Sequence, residues 1–193
     1  MPHRHRSPRQ LRRHLTTYQN LCRANRTVTR ELETLGFWHH RLDDVEVRWV
    51  PASLLCYGWY QGNIEIPAVT GAQLADLFLG RHTHLTDILR HEWAHAVADK
   101  WPHLINTQRF AREFGGPYES VERVRKYHPE HHLTRYAATT ACEDFAEVFH
   151  YFLRHKGRLP RHLDGKPVIA GKWRFVEWLA CRISRRPPQF KIS

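Results

Sequence analysis

No apolar run in this chain approaches the roughly 18 residues that a membrane-spanning helix needs, so no membrane span is expected. The N-terminal stretch "MPHRHRSPRQLRRH" is basic but leads into no apolar segment, so no secretory signal is expected either. Cysteine is sparse. Cys22, Cys56, Cys142 and Cys181 stand apart with no C-x-x-C pair, which argues against a zinc knuckle or a thioredoxin-type motif. Isolated thiols in a chain of 193 residues fit a reducing compartment, and a cytoplasmic location is the expectation. Internal repeats and Ser/Gly-rich linkers are missing, which predicts one domain over residues 10–186 between a basic tail at 1–9 and a C-terminal tail at 187–193. Acidic residues are outnumbered: 19 Asp and Glu face 30 Lys and Arg, for a net charge of +11. That balance favours anionic partners, and the basic ends, "RHRSPRQLRRH" and "RISRRPPQFK", would make non-specific contacts with nucleic acid or another polyanion. It does not specify a fold.

The chain does contain the material for a packed core: 41% hydrophobic residues, with seven Trp, seven Tyr and nine Phe. From Gln10 to Leu35 apolar residues (Leu11, Leu15, Tyr18, Cys22, Val28, Leu32, Leu35) recur at helical intervals, and Gly36 supplies a stop. The period then shortens. "VEVRWV" alternates up to Pro51, and "LLCYGWYQGNIEIP" follows with Gly62-Asn63 as its turn. These segments predict two or three antiparallel strands, the last of them, Ile64 to Ile66, an edge strand closed by Pro67. Thr70-x-x-Gln73 has the form of a capping box opening the helix "AQLADLFLG". A second helix is expected from His84 to Lys100, with Leu85, Ile88, Leu89, Trp93, Ala96 and Val97 on one stripe. Further helices are expected in "NTQRFAREFGG", "TTACEDFAEVFHYFLRHKG" and "AGKWRFVEWLACRIS", whereas "YESVERVRKYHPEHHLTRY" reads as part helix and part loop. A small sheet followed by helices is an α+β order.

Inside the second helix stands "HEWAH", His91 to His95. With 16 histidines in the chain, a shuffled sequence would contain H-E-x-x-H with a chance of roughly 0.08, so the pentad needs support from its surroundings. The spacing puts His91 and His95 one turn apart on one helix face, where both imidazoles can meet one tetrahedral ion. Glu92 is then beside the first ligand, in the place of a general base acting on a Zn²⁺-activated water. Asp99, four residues past His95, is a candidate partner for an imidazole N–H. A catalytic zinc site needs a third protein ligand. The metzincin pattern is excluded, because Ala98 and Trp101 stand where it requires Gly and His. His103, His128, His131, His132 and Glu143 remain. Glu143 is favoured: with Glu147 it places two carboxylates on one helix face beside Phe145, Val148 and Phe149, an arrangement that a nearby cation relieves. In that assignment Glu143 binds the metal and Glu147 orients a ligand histidine. The competing view is a Thr140-x-x-Glu143 capping box with Glu147 solvated. Cys142 reads as a helix-core thiol, and "HPEHH" as a weak accessory metal site.

The combination "HEWAHAVAD … YAATTACEDFAEVFHYF" resembles the gluzincin metallopeptidases, in which H-E-x-x-H and a downstream Glu hold zinc. More narrowly it looks like bacterial zinc-binding metallopeptidases with an "EDWAE"-type helix, and is similar to the catalytic domain of anthrax lethal factor. "RFAREFGGPY" is also similar to the segment between the two helices in the bacterial group. The resemblance spans roughly Asn63 to Phe152. It implies a zincin-like fold, with a small antiparallel sheet whose edge strand lies over the active-site helix, and a zinc metallopeptidase activity on a protein or peptide substrate. It implies that Tyr136, seven residues before Glu143, donates to the oxyanion, and that Gly62, Asn63 and Ile64 pair with an extended substrate. The chain departs from the pattern at Ala94, where Gly is common, and in having no cysteine-rich ribbon. Two alternatives stay open: an SprT-like protease on nucleic acid, whose third ligand is a histidine, and a non-catalytic zinc-binding module.

Overall fold

The computed structural model describes residues 16–52, 57–69, 73, 84–120 and 126–184. Both basic ends, Cys56, residues 121–125 and, apart from Gln73, the helix expected after Thr70 lie outside these residues. Along the chain run helix α1 (Tyr18–Leu35), a 3-10 turn (His40–Leu42), strands β1 (Val47–Val50), β2 (Gly58–Tyr60) and β3 (Asn63–Pro67), helices α2 (Leu85–Lys100), α3 (Pro102–Ile105), α4 (Gln108–Phe114) and α5 (Ala141–Arg154), a second 3-10 turn (Arg161–Leu163), and α6 (Pro167–Ser184). The architecture is α+β, a three-stranded sheet with a mostly helical remainder.

Helix α1 begins at Tyr18, not at Gln10. Thr17 is extended and caps the helix by accepting from the Asn20 N–H, while the Thr16 N–H bonds the Val69 carbonyl and ties the approach to the end of β3. Leu21, Ala24, Val28 and Leu32 form the buried stripe, and Gly36, left-handed at φ 84°, ends the helix.

The sheet corrects the sequence reading in two ways. It is mixed, because β1 pairs parallel with β3 while β2 pairs antiparallel with it. Its order is β1-β3-β2, so β3 is central and the edge-strand role expected for Gly62, Asn63 and Ile64 does not hold. Ile64 is fully buried, Asn63 is paired with Tyr60, and Gly62 belongs to the turn. The hairpin loop is Gln61-Gly62, one residue earlier than expected, with positive φ at both positions (47° and 82°) as a type I′ turn requires. Pro67 is compatible with a central strand for a geometric reason. The amides of Ile64 and Ala68 donate towards β1, to Glu46 and Val50. Alternation turns position 67 to the opposite side, and β2 begins only opposite Glu65. The missing N–H therefore falls beyond the ladder.

Helix α2 is the centre of the molecule, packed against α1, α5 and strands β2 and β3. The expected stripe is buried apart from Leu85, but so are Asp87, His91, Glu92, Ala94 and Ala98, so the helix is enclosed on nearly every side. Phe110, Phe114, Phe145, Phe149 and Phe175 join α4, α5 and α6 through ring contacts, and burial of each contributes roughly 1.5–3 kcal/mol. That aromatic cluster fixes α5 against α4 and α6.

Candidate metal centre

His91 and His95 project from one face of α2 with their Nε2 atoms 3.2 Å apart. Glu143 reaches them from the first turn of α5, its Oε2 atom 3.0 Å from His91 Nε2 and 3.7 Å from His95 Nε2. These three residues form a group that can hold a metal ion. A tetrahedral ion with bonds of about 2.0–2.1 Å would separate its ligand atoms by about 3.3 Å, the scale of this triangle.

With His91 neutral, hydrogen bonding does not account for the triangle. His91 Nδ1 lies 3.0 Å from Glu147 Oε1, and an ionised carboxylate only accepts, so Nδ1 carries the proton. A neutral His91 then turns the lone pair of Nε2 toward Glu143. Glu143 Oε2 is buried and has no donor in hydrogen-bond geometry. Three electron-rich atoms thus converge, and the site needs a positive charge among them. Without an ion, a second proton on His91 is the other way to supply that charge. Burial opposes a charged His91, yet the Glu143, Glu147 and Glu92 carboxylates push its pKa up to about 10. Burial likewise opposes a charged Glu143, and the two imidazoles hold its carboxyl well below the usual range.

Both readings of the α5 N-terminus hold in part. Thr140 caps the helix by accepting from the Glu143 N–H, but the Glu143 side chain goes to the imidazoles. Glu147 is fully buried and orients His91. Glu92 is also buried, and its Oε2 accepts the Trp59 N–H of β2 at 2.7 Å. Tyr136 has its ring centroid 5.8 Å from that of His91. Burial, then the Glu143 carboxylate that its hydroxyl meets, keeps the phenol protonated.

Other expectations do not reach the site. Asp99 is exposed, and both nitrogens of His95 are engaged elsewhere: Nε2 faces His91, and Nδ1 lies 2.8 Å from the Tyr118 hydroxyl. His103 and His128 are exposed, and His132 Nδ1 accepts the His128 N–H, so none of them completes the triangle. "HPEHH" forms no second metal-holding group among the described residues. The Cys142 thiol sits 3.1 Å from Thr140 Oγ1, and burial raises its pKa.

Three contributors were not singled out from sequence: Tyr118, the Trp59 amide, and Gly58. Gly58 has φ 84°, and a Cβ there would stand 2.9 Å from Glu92 Oε2. The sequence signals for Tyr118 are its place after Gly115-Gly116-Pro117, where α4 ends in a left-handed glycine, and its position at the end of the "RFAREFGGPY" segment. No protein-family model matches this chain, no curated protein matches it, and no solved structure matches it. Among the described residues no helix is long and apolar enough to cross a membrane.

Proposed function

We propose that the chain is a zinc-dependent metallopeptidase with a zincin-like arrangement. The observation that carries the reading is the convergence of His91 Nε2, His95 Nε2 and Glu143 Oε2, with the buried Glu92 carboxylate adjoining. Two imidazoles and one carboxylate are a donor set suited to zinc, and three protein ligands leave a tetrahedral position open. Zinc held there would supply Lewis acidity and an acidified water.

The chain's own residues supply the rest. Glu92 is placed to take a proton and later return it to a leaving amine, with the Trp59 amide fixing one carboxylate oxygen. Tyr136 remains a phenol, so it can donate to a developing oxyanion. An extended peptide would pair with β2, not β3. The Ile64 amide is turned to β1, so its partner Trp59 faces outward from β2, its amide held by Glu92 and its carbonyl left to accept from a peptide. That side meets Glu92, and a peptide running along it would pass the general base. A carboxylate third ligand favours this reading over the SprT-like alternative.

The test combines metal analysis of the purified protein with identification of cleaved peptides from a mixed peptide pool. Wild type is expected to carry one zinc per chain and to cleave. Glu92→Gln is expected to keep zinc and lose turnover by at least about 10²-fold. Zinc uptake with no cleavage in either protein would leave a zinc-binding module, and a zinc-free wild type would remove the metal centre.

A further inference from the structure

His95 has a partner outside the ligand triangle that differs in kind from that of His91. We propose that Tyr118 is a positioning residue for the metal centre: its phenol oxygen accepts the Nδ1–H of His95 and so presents the ring's Nε2 lone pair to the ion. The inference rests on the metal reading above and extends it to a residue on a separate loop.

The geometry supplies the argument. Tyr118 Oη lies 2.8 Å from His95 Nδ1, and the two rings meet nearly edge to face, 6.4 Å apart at 64°. A neutral imidazole has one N–H and one lone pair. His95 Nε2 faces His91 Nε2 at 3.2 Å and Glu143 Oε2 at 3.7 Å, so the lone pair must be on Nε2 if the ring is to ligate. The proton then belongs on Nδ1, where an acceptor must meet it, and Tyr118 Oη is there. The phenol is held in place by Phe110 of α4, 5.6 Å away at 66°, and by Phe145 of α5, 6.1 Å away at 74°. Tyr118 therefore couples the orientation of His95 to the aromatic cluster that seats α5.

The choice of a phenol has an electrostatic reason. Glu92, Glu143 and Glu147 already place three carboxylates around a site for one dication. A fourth in place of Tyr118 would add negative charge in a buried setting, whereas a phenol orients the ring and stays neutral.

The experiment uses the full chain. Zinc dissociation constants are measured by competition with a chromophoric chelator for wild type and Tyr118→Phe, which keeps the ring and removes the oxygen. Nitrogen-15 shifts of His95 are recorded in the zinc-loaded wild type. The proposal expects a His95 protonated on Nδ1, zinc binding weakened roughly 10–100-fold in Tyr118→Phe, and a metal-free unfolding midpoint that stays in place. Unchanged zinc affinity in Tyr118→Phe, or a His95 that carries its proton on Nε2 with zinc present, overturns it while leaving the metal site standing. The shift measurement on wild type can still overturn the proposal even if the variant does not fold. A wild type that takes up no zinc removes the metal reading itself, and this inference with it.

Discussion

Gly58 sits in the left-handed region at φ 84°, with its Cα directly beneath the Glu92 carboxylate. Any other L-residue there meets two costs. The backbone conformation alone is worth on the order of 1–3 kcal/mol. The new Cβ would also stand 2.9 Å from Glu92 Oε2, and of the two groups the carboxylate is the one that can move. Displacing it lengthens the 2.7 Å bond from the Trp59 amide and takes the proposed general base off its line. Gly58→Ala should therefore lose about 1–3 kcal/mol in urea unfolding, keep its zinc stoichiometry, and lose turnover by at least about 10²-fold. A variant as active as wild type would show that Glu92 does not need this approach. Gly58 also illustrates what could be read from the sequence at this scale. His91, Glu92 and His95 were legible because helical spacing alone brings them together. Glu143 and Glu147 were legible because two carboxylates on an apolar helix face call for a counter-charge. Gly58, the Trp59 amide and Tyr118 act through a backbone approach, a main-chain donor and a loop, and none of these leaves a periodic trace. Asp99 misled because helical spacing allowed a contact that the Tyr118 hydroxyl takes instead.

Among the elements, α5 places the proposed third ligand, Glu143, and its start is set by one side chain. Thr140 is extended (φ −150°, ψ 166°), and its hydroxyl accepts from the amide of Glu143, the residue whose carboxylate points at the histidines. The cap that begins the helix thus also anchors the ligand's backbone. Thr140→Ala should cost about 1 kcal/mol of stability and weaken zinc binding through a less ordered first turn, whereas Thr140→Ser, which restores the oxygen, should recover both. Urea unfolding and chelator competition read the two effects separately. Equal zinc affinity in all three proteins would show that the first turn is held by packing alone. Helices of this kind were legible because periodicity is local, and the Thr140 cap could be read with it, whereas the Thr17 cap could not and the first helix was expected from Gln10. The sheet was less so. The β2–β3 hairpin could be seen, one residue out of place, from its turn glycine. The parallel pairing of β1 with β3 joins segments that no turn connects directly, and nothing in the alternation of "VEVRWV" says which neighbour it will take. Burial of β3 between two partners followed from that pairing, and with it went the substrate-edge role expected for Gly62, Asn63 and Ile64.

At the scale of the whole molecule, the two helices that carry the proposed ligands must keep a fixed spacing, and a second polar cluster joins them to α1. Asp87 of α2 lies 2.6 Å from Arg90 Nη1, 3.2 Å from His150 Nε2 of α5 and 3.6 Å from Arg154 Nη1 of α5. Arg90 in turn makes a two-pronged pair with Glu31 of α1, at 2.7 and 2.8 Å. Three helices are thereby connected through one nearly buried carboxylate. Burial alone would raise the pKa of Asp87; His150, then Arg154 and Arg90, bring it down from 3.8 to about 2. Because the folded pKa lies below the unfolded one, the unfolded chain takes up the proton first as pH falls. The stabilisation is complete above the unfolded value and is lost as pH drops through the folded one. A depression of this size corresponds to on the order of 2 kcal/mol at neutral pH. Asp87→Asn should therefore be less stable than wild type by at least about 2 kcal/mol near pH 7, because it also leaves Arg90 facing a neutral group. The gap should narrow by about half near pH 3, where the wild-type carboxyl begins to protonate. Urea unfolding at the two pH values measures it. A gap of constant size would mean that Asp87 contributes through shape and not through charge, and that the spacing of α2 and α5 is set by their direct packing without help from this network's charges.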